Sequence, residues 1–282
     1  MKLSVENAVD VSIQKRDFKF GRTHAPPRWW HSQDAGRTAY FNALSATFPQ
    51  GEKFFMTAVR HYRNSTSEPL RSQIDNFLYQ EATHSREHII FNRQAADAGY
   101  NLRPLEDRVR ATIGWARRRS PIQQLAATCA LEHYTAALAQ HALAVPSALN
   151  GAVGEAGDLW RWHAIEEIEH KGVAFDTYLH ATQNLSPFRR WLKRTVVMLA
   201  TTVRFHYILY RNTADLLRQD GRHDWATWKA LLIYLYGRDG AMRHLISSIG
   251  RYLRPGFHPW DEDDRALLHE ALNHFPHHNR ER

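Results

Sequence analysis

The 282-residue sequence predicts an all-α protein, and three observations lead to this fold class. Apolar residues recur at alternating spacings of three and four over long segments, which is the period of an amphipathic helix. Ser-Pro pairs, aspartates and glycines stand where these segments begin or end. Strict alternation of polar and apolar residues, which would indicate a half-buried strand, extends over no useful length.

Four helical segments are predicted in the first two-thirds of the chain. They cover about residues 37–63, 67–99, 120–146 and 155–183. The first must break or kink at Pro49 and Gly51, because proline removes a helical hydrogen bond. Ser67 is the predicted N-cap of the second segment, and Ser120 followed by Pro121 opens the third.

Further helices are predicted in the C-terminal part. They cover about residues 186–218, 224–237, 238–252 and 261–274. Asp224 and Asp261 are the predicted N-caps of the second and the last of these. We therefore expect one domain over residues 1–282, with a helical bundle at about 37–184 and a helical extension at about 186–275.

Composition and charge exclude several classes of protein. Cys129 is the single cysteine, so the chain forms no internal disulfide and no thiolate zinc site, which favours a reducing compartment. The first twenty residues lack the uninterrupted apolar run of a signal peptide, and we expect a cytoplasmic protein. The net charge of +8 comes mostly from dispersed arginines without a recognition motif, so no nucleic-acid partner is expected.

The segment at about 188–210 combines basic and aromatic residues. Its longest run without a charged residue, Thr195–Val203, has nine residues, far fewer than the roughly 20 that a membrane-spanning helix needs. A basic cluster around Trp191 is typical of an interfacial helix, which would give peripheral contact with a membrane. The alternatives are a lid over the active site and a helix packed on the bundle.

The apolar stripes of three predicted helices contain titratable residues at core positions. These are Glu81, His84 and His88 in the second segment, Glu132 in the third, and His163, Glu167 and His170 in the fourth. A buried carboxylate without compensation costs several kcal/mol or takes up a proton. The pattern therefore indicates a positive charge among these side chains.

Two Glu-x-x-His pairs, at residues 81–84 and 167–170, indicate what that charge is. Two such pairs and one further glutamate from each of two other helices form the dimetal site of ferritin-like four-helix bundles. Glu132 supplies one of these glutamates, and Glu52 in the broken first helix supplies the other. Four carboxylates carry a charge of −4, which two divalent cations balance, and Glu167 is expected to bridge the two ions.

Each of these residues also has an ordinary structural interpretation. Glu52 and Glu132 are alternatively solvated surface residues, and His88 is alternatively a core histidine bonded to a backbone carbonyl. Glu166 lies at the edge of its stripe, where it can accept a hydrogen bond from a metal-binding imidazole. Glu169 points away from the stripe, which is typical of a solvated or salt-bridged residue.

Three motifs resemble a known family. The run at residues 160–176, Trp-Arg-Trp-His-Ala-Ile-Glu-Glu-Ile-Glu-His-Lys-Gly-Val-Ala-Phe-Asp, resembles the signature of a bacterial family usually labelled predicted metal-dependent hydrolases. Phe-Pro-Gln-Gly-Glu at 48–52 and Glu-Ala-Thr-His-Ser-Arg-Glu-His at 81–88 fit the same family. The resemblance spans about residues 20–215, and the word hydrolase constrains the chemistry little.

A second resemblance is more distant. Diiron arylamine N-oxygenases carry a third histidine, in the spacing His-x-x-x-Glu-x-x-His on the last bundle helix, and the residues at 163, 167 and 170 match it. The resemblance implies metal ligands at Glu52, Glu81, His84, Glu132, His163, Glu167 and His170. Oxygen and nitrogen ligands without thiolate suit two iron ions, with manganese or zinc as alternatives.

The leading hypothesis is a diiron oxygenase or oxidase that activates O₂ to oxidise a small organic substrate and takes electrons from a donor. Trp160, Trp162 and Tyr134 are candidates to line its pocket or to pack in the core. The alternatives are a dimetal hydrolase, in which a bridging hydroxide attacks an ester or phosphate, and an iron-binding or storage protein. The motifs assign no further catalytic residue, and they leave the oligomeric state open, with a homodimer as one alternative.

Overall fold

The computed structural model describes residues 13–22 and 25–274. Within these ranges the secondary structure is helical, apart from an isolated bridge between His31 and Ala152, so the predicted all-α class is confirmed. The α-helices are α1 (Ala35–Ser45), α2 (Phe48–Arg60), α3 (Leu70–Asp97), α4 (Arg103–Ala116), α5 (Pro121–Ala144), α6 (Glu155–His170), α7 (Val173–Ala181), α8 (Pro187–Gln219), α9 (Trp225–Tyr236), α10 (Ala241–Tyr252) and α11 (Arg265–His274). The prediction about a signal peptide falls mostly outside the described residues.

Helices α2, α3, α5 and α6 form a closed ring of neighbours. Helix α2 packs on α3 and α5, and α6 packs on the same two helices from the other side. The helical bundle expected from the sequence is therefore present, and its interior lies between these four helices. Large side chains such as Phe54, Phe77 and Trp162 are fully buried there.

The first predicted segment breaks slightly earlier than expected. Helix α1 ends at Ser45 and α2 begins at Phe48, so Pro49 lies in the first turn of α2 instead of at the break. A proline fits that turn because its missing N–H would have no helical acceptor there. Helix α2 continues through Gly51 without a break.

The last bundle segment is divided into α6 and α7 at Lys171 and Gly172. The buried Lys171 ammonium donates to Asp264 and lies 4.3 Å from the ring centre of Trp260. A Cβ at Gly172 would stand 2.6 Å from Nε1 of the same tryptophan. The division therefore accommodates a contact with the C-terminal segment, which helical periodicity does not reveal.

Two predicted caps are wrong. Helix α3 begins at Leu70, and the Glu68 carboxylate, not the Ser67 side chain, accepts from the backbone N–H of Ser72. Helix α11 begins at Arg265, where the Asp263 carboxylate accepts from the backbone N–H of Arg265, while the predicted cap, Asp261, ends a short 3₁₀ turn. At the start of both helices, a nearby acidic side chain therefore accepts the backbone hydrogen bond instead of the predicted cap.

Other boundaries agree more closely with the pattern. Ser120 caps α5 in a reciprocal capping box with Gln123, and Asp224 accepts from the backbone N–H of Thr227 at the start of α9. Helix α10 starts at Ala241, three residues later than expected. The sequence did not predict α4, whose inward residues Leu105, Val109 and Ile113 recur only every fourth position between arginines.

The C-terminal helices lie directly on the bundle. Helix α8 packs on α1 and α5, α10 on α5, and α11 on α5 and α6. The helix at 188–210 is therefore packed on the bundle through one face. The same helix exposes a row of apolar side chains, Phe188, Leu192, Val196, Leu199 and Val203.

In the part of the chain that the structure describes, every helix is either too short or too polar to cross a bilayer.

Candidate metal centre

The four ring helices carry the seven predicted ligands into one buried cluster. Each of the seven is at most 4% exposed. Their ligand atoms come close enough to hold an ion in three groups: Glu52, His84 and His163; Glu81, His84 and Glu167; Glu81, Glu132 and His170. Every predicted ligand occurs in at least one group, and the interpretation of Glu52 and Glu132 as solvated surface residues is wrong.

The cluster has two sides, and Glu167 lies between them. Its Oε1 is 2.7 Å from Nε2 of His163 and 3.6 Å from Nδ1 of His84. Its Oε2 is 3.5 Å from Nε2 of His170, which is also 3.4 Å from Oε1 of Glu81. A carboxylate with one oxygen toward each side has the placement that a bridging ligand requires.

Hydrogen bonds outside the cluster fix which nitrogen of two imidazoles faces inward. Nε2 of His84 donates to Oε2 of Glu166 at 3.0 Å, and Nδ1 of His170 donates to Oε1 of Gln80 at 3.1 Å. A neutral imidazole, which is the form that binds a metal, keeps a lone pair on one nitrogen when it donates from the other. Nδ1 of His84 and Nε2 of His170 therefore turn lone pairs toward the carboxylates.

His163 is oriented through a longer chain of hydrogen bonds. The Ser45 hydroxyl donates to Oδ1 of Asn92 at 2.7 Å, so it accepts from Nδ1 of His88 at 2.9 Å. Nε2 of His88 then accepts from Nδ1 of His163 at 2.6 Å. Nε2 of His163 therefore faces Oε1 of Glu167 at 2.7 Å; it donates to that carboxylate when the ring is protonated and offers a lone pair to an ion when the ring is neutral. His88 is bonded to side chains instead of a backbone carbonyl.

Unsatisfied polar atoms test whether the residues fit a metal. Buried atoms without a hydrogen-bond partner among the described residues occur at six of the seven predicted ligands: Glu52 Oε1, both oxygens of Glu81 and of Glu132, His84 Nδ1, Glu167 Oε2 and His170 Nε2. Buried polar groups are ordinarily satisfied, and leaving one unpaired costs about 1–3 kcal/mol. Lone pairs that converge without donors are what a cation satisfies, so the donor set fits divalent metal ions.

The electrostatics of the cluster without metal lead to the same conclusion. Burial raises the pKa of Glu52, Glu81 and Glu132 well above the ordinary value, and repulsion from neighbouring carboxylates adds to the effect. Burial opposes ionisation of Glu167 too, but without metal the positive charge of a protonated His170 and the hydrogen bond donated by a protonated His163 hold the pKa of Glu167 well below the usual range. Without cations, therefore, the cluster cannot hold all its carboxylates ionised.

One comparison with known proteins decides the family. The model of a family described as predicted metal-dependent hydrolase matches residues 14–263. The chain belongs to this family. No curated protein and no solved structure matches the chain significantly.

The family's description implies a metal-dependent enzyme, and the buried His and Glu groups are consistent with divalent metal binding.

In this family member, a pair of glutamates on α6 supports the cluster from outside. Arg16 lies 3.1 Å from Glu166 and 2.6 Å from Glu169, and Glu169 also accepts from Gln80 at 2.9 Å. Glu169 is thus salt-bridged and not solvated. Burial raises the pKa of Glu166 to about 7, against the opposing effect of Arg16.

A small cavity, called here the inner cavity, reaches the cluster. It has a volume of about 60 Å³ and is lined by His163 and Glu167 together with apolar residues that include Phe48, Trp160 and Leu138. Trp160 therefore lines a cavity, as does Tyr134 in a larger one described below. Trp162 packs edge-on against His84, with ring centres 4.7 Å apart, and serves the core.

Sequence reasoning missed the partners that hold the ligands. Arg16 lies 150 residues before Glu166, and neither it nor Gln80 belongs to a stripe or motif that would have indicated the contact. The position of His88 on the apolar stripe of α3 was the available signal for its inward direction. Its bond to His163 joins α3 to α6 and depends on how those helices pack.

Proposed function

We propose that this family member is an O₂-activating dimetal enzyme, with two iron ions per chain, that oxidises a small organic substrate. The observation that carries the proposal is the convergence of four carboxylates and three imidazole lone pairs inside four helices. Carboxylates and imidazoles without thiolate suit iron, with manganese or zinc as alternatives. Iron ions held in such a set supply electrons to O₂.

The side chains around the site fix ligand geometry and exclude water. Glu166, Gln80 and His88 each take an N–H from one ligand imidazole, which prevents ring rotation and keeps the lone pair inward. Phe48 and Trp160 cover the side of the cluster at the inner cavity. The inner cavity, with a volume of about 60 Å³, has room for a molecule of the size of O₂ beside His163 and Glu167.

The second candidate is dimetal hydrolysis, which the family's description favours. In that reaction a metal-bound hydroxide would attack an ester or phosphate. The depth of the cluster and its apolar surroundings favour oxidation instead, because a charged phosphate would have to shed its hydration to reach ligands that are at most 4% exposed.

One pair of assays separates the candidates. Protein purified without chelators is analysed for metal, loaded anaerobically with ferrous ion, and mixed with O₂ while the O₂ concentration is recorded. We expect two metal ions per chain and O₂ consumption at least stoichiometric with the protein. Hydrolysis of generic esters or phosphodiesters by the same preparation, together with no O₂ consumption, would favour the hydrolase.

The proposal needs a substrate and a source of electrons. The two ferrous ions together and the substrate would each supply two of the four electrons that reduce O₂, so an electron donor is required to return the iron to the ferrous state for the next turnover. Peripheral membrane contact through about residues 188–210 stays a prediction. The apolar row on α8 supports it, because such a row beside Arg189 and Lys193 is typical of interfacial helices.

A further inference from the structure

A second, much larger cavity lies beside the metal-bearing helices. It is called here the apolar chamber, has a volume of about 810 Å³, and is bounded by α2, α4, α5 and α8. Its walls are mainly apolar and include Phe54, Phe55, Ile113, Leu131 and Val197. The volume falls within the roughly 300–1,000 Å³ range of small-molecule sites, and such sites are mostly lined by apolar side chains.

One side of the chamber lies near the predicted ligands. Gly51 and Leu131 line it, and each is the chain neighbour of a predicted ligand, Glu52 on α2 and Glu132 on α5. Phe48 and Thr135 line both the chamber and the inner cavity, which reaches His163 and Glu167. These two side chains therefore lie where the chamber and the inner cavity approach each other.

The outer end of the chamber is open and carries two arginines. Trp115, Val203 and Tyr207 line the chamber and are at least half exposed, so they mark its mouth. Arg119 lies over the ring of Trp115 at 4.0 Å, and Arg204 donates two hydrogen bonds to Oγ1 of Thr112. Among the ion pairs of the described residues, neither arginine has a carboxylate partner.

We propose that the apolar chamber binds the substrate, and that this substrate is an amphipathic anion: a hydrocarbon chain inside the chamber with a carboxylate at the two arginines of the mouth. The inference rests on the proposed function, because it names the substrate class of that same metal site. Arginine is suited to the head group because its planar fork of N–H donors matches a carboxylate. The chain would then point past Phe48 and Thr135 toward the cluster.

The test uses dodecanoate as the probe, titrated calorimetrically into the full-length protein with its metal bound and kept below its micellar concentration. Dodecyltrimethylammonium, with the same chain and the opposite charge, is the comparison ligand. We expect saturable binding of one dodecanoate per chain, at least tenfold tighter than binding of the cation. Equal affinity for the two ligands would overturn the assignment of the arginines.

Two matched pairs of variants locate the binding. Ala116→Phe fills the chamber from α4, and Ala111→Phe adds the same ring to an exposed position of that helix outside it. The first should weaken dodecanoate binding at least tenfold and the second should leave it unchanged. Ala200→Phe blocks the chamber from α8 and replaces Ala116→Phe if that variant is unstable. Binding that withstands both blocking variants would overturn the chamber as the site.

The arginines are tested in the same way. The double variant Arg119→Gln and Arg204→Gln should weaken dodecanoate binding at least tenfold, since both charged donors to the carboxylate are lost. The neighbouring exposed Arg118→Gln is the control. Loss in the control equal to that in the double variant would show nonspecific attraction to a basic surface and would contradict the proposal.

The outcomes separate this inference from the proposed function. Two metal ions and O₂ consumption without dodecanoate binding would contradict the substrate class alone. Dodecanoate binding that Ala116→Phe abolishes, in a protein that binds no metal, would support the chamber and contradict the dimetal enzyme. The calorimetric readout does not depend on turnover, so the two failures cannot be confused.

Discussion

Replacing Glu167 with glutamine should remove both metal ions and most of the stability that they contribute. Glutamine keeps the size of the side chain, so no cavity forms, but it removes the charge that lies between the two sides of the cluster. One oxygen of Glu167 faces His84 and His163 and the other faces His170, so neither side keeps its full ligand set. A ligand on one side alone would affect one ion.

The size of the effect follows from mass action. An ion present at a hundredfold excess over its dissociation constant stabilises the folded state by about 2.7 kcal/mol, so two ions that each bind at this excess contribute about 5.4 kcal/mol. For a chain of 282 residues, 1 kcal/mol corresponds to about 2 °C in melting temperature, which gives a decrease of about 10 °C.

The assay is metal analysis together with thermal unfolding at fixed free metal. Asp97→Asn, an exposed position near the end of α3, removes the same charge outside the cluster and is the matched control. Wild type treated with chelator should melt close to the Glu167→Gln variant. A variant that still binds two ions per chain, or melts with the wild type in excess metal, would refute the bridging role of Glu167.

Three further predictions follow from the supporting structure. Glu166→Gln should weaken metal affinity about 10- to 100-fold, because the carboxylate that accepts from His84 is lost. Competition with a chelator measures the affinity, and an unchanged value would contradict the prediction. Ser120→Ala should lower the free energy of unfolding by about 1 kcal/mol in denaturant titration through loss of the α5 cap, whereas an unchanged midpoint would show that the cap is unimportant. Burial lowers the pKa of His31 in the folded protein. As the pH falls below about 6.5, this histidine is protonated in the unfolded chain before it is protonated in the folded protein. The free energy of unfolding should therefore decline there and level off below the folded pKa. His31→Gln should flatten that decline in melts at pH 5–8, and an equal slope in both proteins would exclude this histidine as a source.

The sequence alone determined which side chains point into the bundle. Helical periodicity is a local property, so the positions of Glu81 and His84 on α3, and of Glu167 and His170 on α6, could be read from their spacing to apolar neighbours. The structure places all seven predicted ligands in one buried cluster, and their role as ligands stays a prediction. Helix α4 was missed because its inward residues recur only at every fourth position, with arginines between them.

Only the tertiary structure decided how the inward residues meet. The bond between His88 and His163 depends on the packing of α3 against α6, and Arg16 reaches Glu166 across 150 residues of chain. The division after His170 depends on Trp260, and the apolar chamber is bounded by four helices that are not all neighbours in the chain. Spacing along one helix determines the direction of a side chain, whereas its partner lies on another helix, whose position results from packing of the whole core.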